Sequence, residues 1–202
     1  MDEKNRVWAI VLAAGESRRM GEPKSLLPYG RSTILGTVLQ NVLASRVDGA
    51  LVVLGSRWRK IRATLKRDDV KVVINPRFRE GMLSSIQRGI SALPPSCRAA
   101  VLVLADQPTV PPAIINALIE AYRRKEKGLV VPVFQGKRGH PVLFDLKYKE
   151  EIMSLDPTVG LRQLLQRHPQ DILEVRVSSS SILRDIDDPA DYENLMLPRK
   201  RD

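Results

Sequence analysis

The chain has 202 residues, with 33 Lys+Arg against 23 Asp+Glu and a formal net charge of +10. Hydrophobic residues make up 43% and charged residues 28%, an ordinary globular balance that predicts a single domain with a full core. No apolar run approaches the roughly 18–20 residues of a membrane helix, and one cysteine, Cys97, excludes an internal disulfide. With two histidines a histidine-rich zinc site is disfavoured. The polar start, residues 1–6, predicts no secretory leader, so the expected location is cytoplasmic with no membrane partner. The positive charge points to an anionic partner, and nucleic acid, nucleotide and other phosphates all fit.

The first predicted element is residues 7–13, a continuous apolar run of the kind found in strands buried on both faces. A polar loop follows as far as Gly30. Ile34, Leu35, Val38, Leu39, Val42 and Leu43 then recur at helical spacing, with Ser32 placed to cap them. Residues 51–54 read as a strand, 57–67 as a basic helix and 70–74 as a further strand ending at Asn75-Pro76. A helix starts near Met82 and stops at Pro94-Pro95. Residues 99–105 form the most apolar strand, closed by Asp106-Gln107-Pro108. A helix opened by Pro111-Pro112 follows, then short strands around 129–134 and 141–144 with a Gly-Lys-Arg-Gly turn between them. A short helix near 161–167, a strand near 172–177 and a helix after Asp188-Pro189 complete the chain, before a basic tail at 198–202 that is expected to fray. This alternation predicts βαβ units and a mostly parallel sheet covered on both faces. Ligands of such sheets bind beyond the carboxyl ends of the strands, which nominates the loop after Ala13 and Asp106.

Five segments carry candidate chemistry. The first is residues 12–24, where small Ala13, Ala14 and Gly15 let backbone N–H groups approach an anion, and Arg19 and Lys24 add charge suited to a triphosphate. The spacing is neither a Walker A loop nor a Gly-x-Gly-x-x-Gly fingerprint. The second is Asp106, a carboxylate at a strand end where a hard cation would sit over a phosphate. The third is residues 185–192. Alternation puts Asp185 and Asp187 on one side, Asp187 is the candidate ligand, Asp185 and Asp191 read as structural, and Asp188 is a natural helix cap. The fourth is residues 75–85, with Gly81, Ser84 and Ser85 at a helix start. The fifth is residues 136–142, a glycine-bracketed basic turn carrying His140. His168 and Cys97 read as structural. The basic stretch 57–88 reads as a solvated face; without an aromatic stacking set, nucleic-acid binding is a remote alternative.

Residues 12–24 match the signature L-A-A-G-x-S-x-R-M-G-x-x-K of the MobA-like nucleotidyltransferases, which the chain resembles over about residues 7–192. Asn75-Pro76, Gly81-Met82, Leu104-Ala105-Asp106-Gln107-Pro108, Arg138-Gly139-His140-Pro141 and residues 185–192 resemble the molybdenum cofactor cytidylyltransferases within that family. The resemblance implies a three-layer α/β/α Rossmann-like domain over residues 1–202. It implies transfer of CMP from CTP to molybdopterin with release of pyrophosphate, dependent on Mg2+. Ala14 stands where family members favouring CTP have alanine; the alternatives are a GTP-dependent guanylyltransferase or a sugar or sugar-alcohol phosphate acceptor. By the resemblance, Leu12, Ala13, Ala14 and Gly15 line the nucleotide site, Arg19 and Lys24 bind phosphate, and Asp106 and Asp187 hold the metal. Ser84, Ser85 and His140 face the acceptor, and a recipient molybdoenzyme or its chaperone is the implied partner. One departure touches the acceptor side: Thr158 stands where the family has an acid.

Overall fold

The computed structural model describes residues 6–65, 68–124, 127–156 and 160–197. Thr158, the end of the basic segment at 66–67 and the tail at 198–202 lie outside the described residues. The elements in chain order are β1 (Arg6–Ala13), β2 (Pro28–Tyr29), β3 (Ser32–Thr33), α1 (Ile34–Leu43), β4 (Gly49–Leu54), α2 (Trp58–Thr64), β5 (Val70–Ile74), α3 (Met82–Ser91), β6 (Cys97–Leu104) and α4 (Pro112–Arg124). They continue with β7 (Leu129–Phe134), β8 (Lys137–Arg138), β9 (Val142–Asp145), α5 (Lys149–Ser154), α6 (Arg162–Arg167), β10 (Ile172–Arg176) and α7 (Pro189–Met196).

The main sheet runs β10-β7-β9-β6-β1-β4-β5, with β8 paired to β7. Strand β1 lies parallel to β4 and β6, β4 parallel to β5, and β10 parallel to β7. Strand β9 is the exception, antiparallel to both β6 and β7. The sheet is mostly parallel as the alternation predicts.

The layering follows from the side chains of β1. Val7, Ala9 and Val11 join Leu35, Val38 and Leu39 of α1 and Ile115, Leu118 and Ile119 of α4 in one core. Ile10 and Leu12 point the other way, into a second core with Leu83, Ile86 and Ile90 of α3 and Leu164 of α6. A strand wedged between two helical layers has no solvent face, which is why β1 is apolar at every position after the exposed Arg6. Each fully buried Val or Ile here contributes about 1.5–3 kcal/mol, against a whole-domain margin of about 5–15 kcal/mol. The sheet centre therefore carries the stability, and the loops beyond its carboxyl ends are left to carry charge.

Local signals decide most helix starts. Asp188 caps α7 through a reciprocal capping box with Asp191, as the Asp-Pro pair predicts. Thr33, rather than Ser32, caps α1: its Oγ1 accepts from Gly36 N at 3.0 Å, while Ser32 is held in the small β2–β3 hairpin. The basic helix α2 begins at Trp58, with Arg57 in the left-handed region at φ 49° just before it. No helix of the described residues is long and apolar enough to cross a membrane.

Candidate active site

Strands β1 and β6 end side by side, and the ladder extends one step past them through Ala105 N donating to Leu12 O at 3.1 Å. The chain then turns away at Ala14, whose carbonyl accepts from Ser56 N at 3.2 Å, so the end of β4 borders the same loop. The fit there is close. A Cβ added at Gly55 would lie 2.6 Å from both Ala14 O and Phe78 Cβ. Beyond Gly15, Ser17 adopts left-handed geometry (φ 50°) and its Oγ accepts from Lys24 N at 3.1 Å, which pins the loop into a closed turn. That pin aims Lys24 back at the strand ends.

The Lys24 ammonium makes three contacts. It hydrogen-bonds Asp106 Oδ2, Ile186 O at 2.8 Å and Asp187 Oδ1 at 3.2 Å. The 185–187 segment is brought here by Ile186, whose side chain is buried and whose N–H donates to Asp106 O at 3.2 Å. With Ile186 turned inward, alternation leaves Asp185 and Asp187 turned outward, and both line the cavity. Arg19 Nη1 stands 3.8 Å from Asp187 Oδ2 with its side chain 71% exposed, a solvent-screened contact worth about 0–1 kcal/mol. The Lys24 and Asp106 side chains are only 20% and 18% exposed. Burial works against the Lys24 charge, but the Asp106 carboxylate, helped by Asp187, outweighs it and holds the ammonium pKa above its ordinary value.

These groups bound a cavity of about 410 Å³, within the range of small-ligand sites. Leu12, Ala13, Ala14, Gly15, Lys24, Asp106 and Asp187 line it, with Ser85, Gly81 and Phe78 opposite. Arg19 stands at its edge through Asp187. Ser84 is 1% exposed and fully engaged, accepting from Asn75 Nδ2 at 2.9 Å and donating toward Gly81 O and Arg77 O. It braces the 75–81 loop, while Ser85, also held by Asn75 at 2.9 Å, reaches the cavity wall.

His140 is placed differently. It lines a second cavity of about 610 Å³ with Arg138, Gly139, Leu161 and Arg162. The β6–β9 register, Leu102 opposite Val142, sets His140 beside the carboxyl end of β6. Burial lowers its pKa, against an opposite pull from Asp106 and Asp185, so the ring is neutral at pH 7. His168 is structural, its Nε2 lying 2.7 Å from Glu151 Oε2.

The donor set suits a hard cation. No group of three or more His, Cys, Asp or Glu side chains among the described residues is arranged for a metal. Mg2+ is usually held through one or two carboxylates, with phosphates and water completing the shell. Asp106 and Asp187 supply two, and Asp106 Oδ1 is buried without a hydrogen-bond partner among the described residues. An orphaned carboxylate oxygen is costly unless a ligand completes it.

Several of these roles were not visible in the sequence. Asn75, Phe78, Ser17 and Ile186 lie in segments the sequence singles out, but the contacts they make come only from tertiary packing. Gly55 had a signal: a glycine directly after a buried apolar strand marks a close backbone approach.

A mostly parallel sheet with cation and carboxylates gathered at its switch between β1 and β6 defines an α/β nucleotide-binding domain. The chain belongs to the MobA-like NTP transferase domain family, whose model matches residues 9–172. It is 27% identical over 186 residues to the molybdenum cofactor cytidylyltransferase of Escherichia coli (strain K12), covering 91% of this chain and 92% of that protein. It is also 27% identical to the nicotine blue oxidoreductase of Paenarthrobacter nicotinovorans, over 90% of this chain and 92% of that one. The crystal structure of Rv0371c from Mycobacterium tuberculosis H37Rv superposes with a TM-score of 0.86 at 30% identity, covering 95% of this chain and 97% of that chain. A complex of Rv0371c with manganese superposes at 0.81, with 27% identity and 95% and 98% coverage. The chain is thus a nucleotidyltransferase-family protein related to the molybdenum cofactor cytidylyl- and guanylyltransferases.

Proposed function

We propose that this protein transfers CMP from CTP to the phosphate of molybdopterin, in the cytoplasm, releasing pyrophosphate and giving the cytosine dinucleotide cofactor. The observation that carries the proposal is Lys24 held between Asp106 and Asp187 beside the Ala13–Gly15 turn in one cavity. The likeness to the Escherichia coli cytidylyltransferase over most of both chains supports the acceptor, and Ala14 in the first loop supports CTP. A recipient molybdoenzyme or its chaperone is the proposed downstream partner.

An acceptor phosphate oxygen attacks the α-phosphorus; the new O–P bond forms as the α–β bridging bond breaks, and pyrophosphate leaves with the electron pair. Such transfer needs positioning and charge neutralisation rather than a protein nucleophile. The backbone of Leu12, Ala13, Ala14 and Gly15 holds the nucleotide, because the small residues at 13–15 allow close approach. Lys24 and Arg19 offset charge on the departing pyrophosphate. Asp106 and Asp187 would hold Mg2+, which when bound neutralises phosphate charge and acts as a Lewis acid. Ser85 and neutral His140 face the acceptor, with Ser84 fixing the loop behind Ser85.

The test is pyrophosphate release with Mg2+, molybdopterin and each nucleoside triphosphate in turn. CTP is expected to outpace GTP by about tenfold or more. Release with GTP alone, or only with a sugar phosphate in place of molybdopterin, overturns the cytidylyl assignment.

A further inference from the structure

An ammonium has three N–H donors and no more. In Lys24 all three acceptors are in place: Asp106 Oδ2, Ile186 O and Asp187 Oδ1. Seated there, the lysine has no proton left for a phosphate. It also occupies, with its own charge, the space between the two carboxylates that would hold a divalent ion. A second cation entering that space meets repulsion at short range in a site where the lysine and Asp106 are largely shielded from water. The other Asp106 oxygen, Oδ1, is buried with no hydrogen-bond partner among the described residues.

We infer that Lys24 is the resident cation of this site in the nucleotide-free protein, closing Asp106 and Asp187 to a divalent metal until a triphosphate draws the ammonium away. The inference rests on the nucleotidyltransferase reading, which supplies the triphosphate. Two features favour such an exchange. Lys24 sits at the start of a short turn, on a flexible four-carbon stem, with Gly15 and Ala14 across the same cavity. Among the described residues the Asp187 carboxylate, 49% exposed, is held by that lysine and by the loose Arg19 contact, a mobile hold that lets it re-aim once the lysine leaves.

Phosphates chelate metals by themselves, so metal–nucleotide coupling in the wild-type protein is not diagnostic. The discriminating quantity is metal affinity without nucleotide, read by the electron paramagnetic resonance signal of free Mn2+. Lys24→Met keeps the stem and removes the charge; Lys24→Gln is a polar second variant should the first fold poorly. Both are expected to bind Mn2+ about tenfold or more tighter than wild type in the absence of nucleotide, and adding Asp106→Asn is expected to abolish the gain. Affinities equal to wild type in both lysine variants overturn the inference. The measurement uses neither acceptor nor turnover. A failure of CMP transfer therefore strikes the proposed function and leaves this result standing.

Discussion

Asp106→Asn is expected to lower pyrophosphate release by about a thousandfold or more while leaving the fold intact. The side chain keeps its shape, and its amide oxygen still accepts from Lys24. What is lost is the negative charge at the end of β6 and a buried oxygen that has no partner among the described residues. The other oxygen carries the charge opposite the largely buried Lys24 ammonium, which Asp187 still partly offsets, so a loss of about 1–2 kcal/mol and a fall in melting temperature of about 2–8 °C are expected. Circular dichroism and a pyrophosphate assay check the two halves separately. Near-normal turnover would show that the carboxylate is not part of the reaction.

How much of this site was legible in the sequence depends on how local each constraint is. Strands β1 and β6 were legible because burial on both faces forces a continuous apolar run, and a run of strand length bounded by turn residues suits a sheet interior. The 185–188 segment was legible because alternation and an Asp-Pro cap are local rules, and both hold: Ile186 is buried, Asp185 and Asp187 line the cavity, and Asp188 caps α7. Strand β9 was legible as a strand but not in its direction. Its antiparallel insertion between β6 and β7 is set by the turn at 135–141, not by any periodicity in 142–145. Helix α5 was missed because one buried residue, Ile152, in six gives no helical pattern to read. Ser84 shows the commonest failure of reading sites from residue types. Its hydroxyl looks like a ligand group at a helix start, yet the fold spends it on Asn75, Gly81 and Arg77.

Gly139→Ala and Gly15→Ala are expected to separate folding from chemistry in opposite ways. Gly139 lies where the turn before β9 crosses the 180–183 segment, with Gly139 N donating to Pro132 O and His140 N to Ile182 O, each at 3.0 Å. A Cβ at 139 would stand 2.2 Å from Ile182 O and 2.8 Å from its carbonyl carbon. Those are backbone atoms, and Ile182 is 0% exposed against Val110 and Ile114, so it has nowhere to recede. Overpacking of this kind costs about 3 kcal/mol, which in a domain of this size lowers the melting temperature by about 6–12 °C. At Gly15 the added Cβ meets nothing within 4 Å, so Gly15→Ala is expected to leave stability unchanged or to raise it by about 0.4–1 kcal/mol. Gly15 nevertheless lines the same cavity as Lys24, and CTP affinity is expected to fall by about tenfold if the added methyl costs the turn its close approach to phosphate. Thermal melts and CTP titration of the two variants check the pair. Should Gly15→Ala bind CTP as wild type does, the first loop is not the phosphate cradle. Should Gly139→Ala melt with wild type, the crossing over Ile182 is looser than the geometry requires.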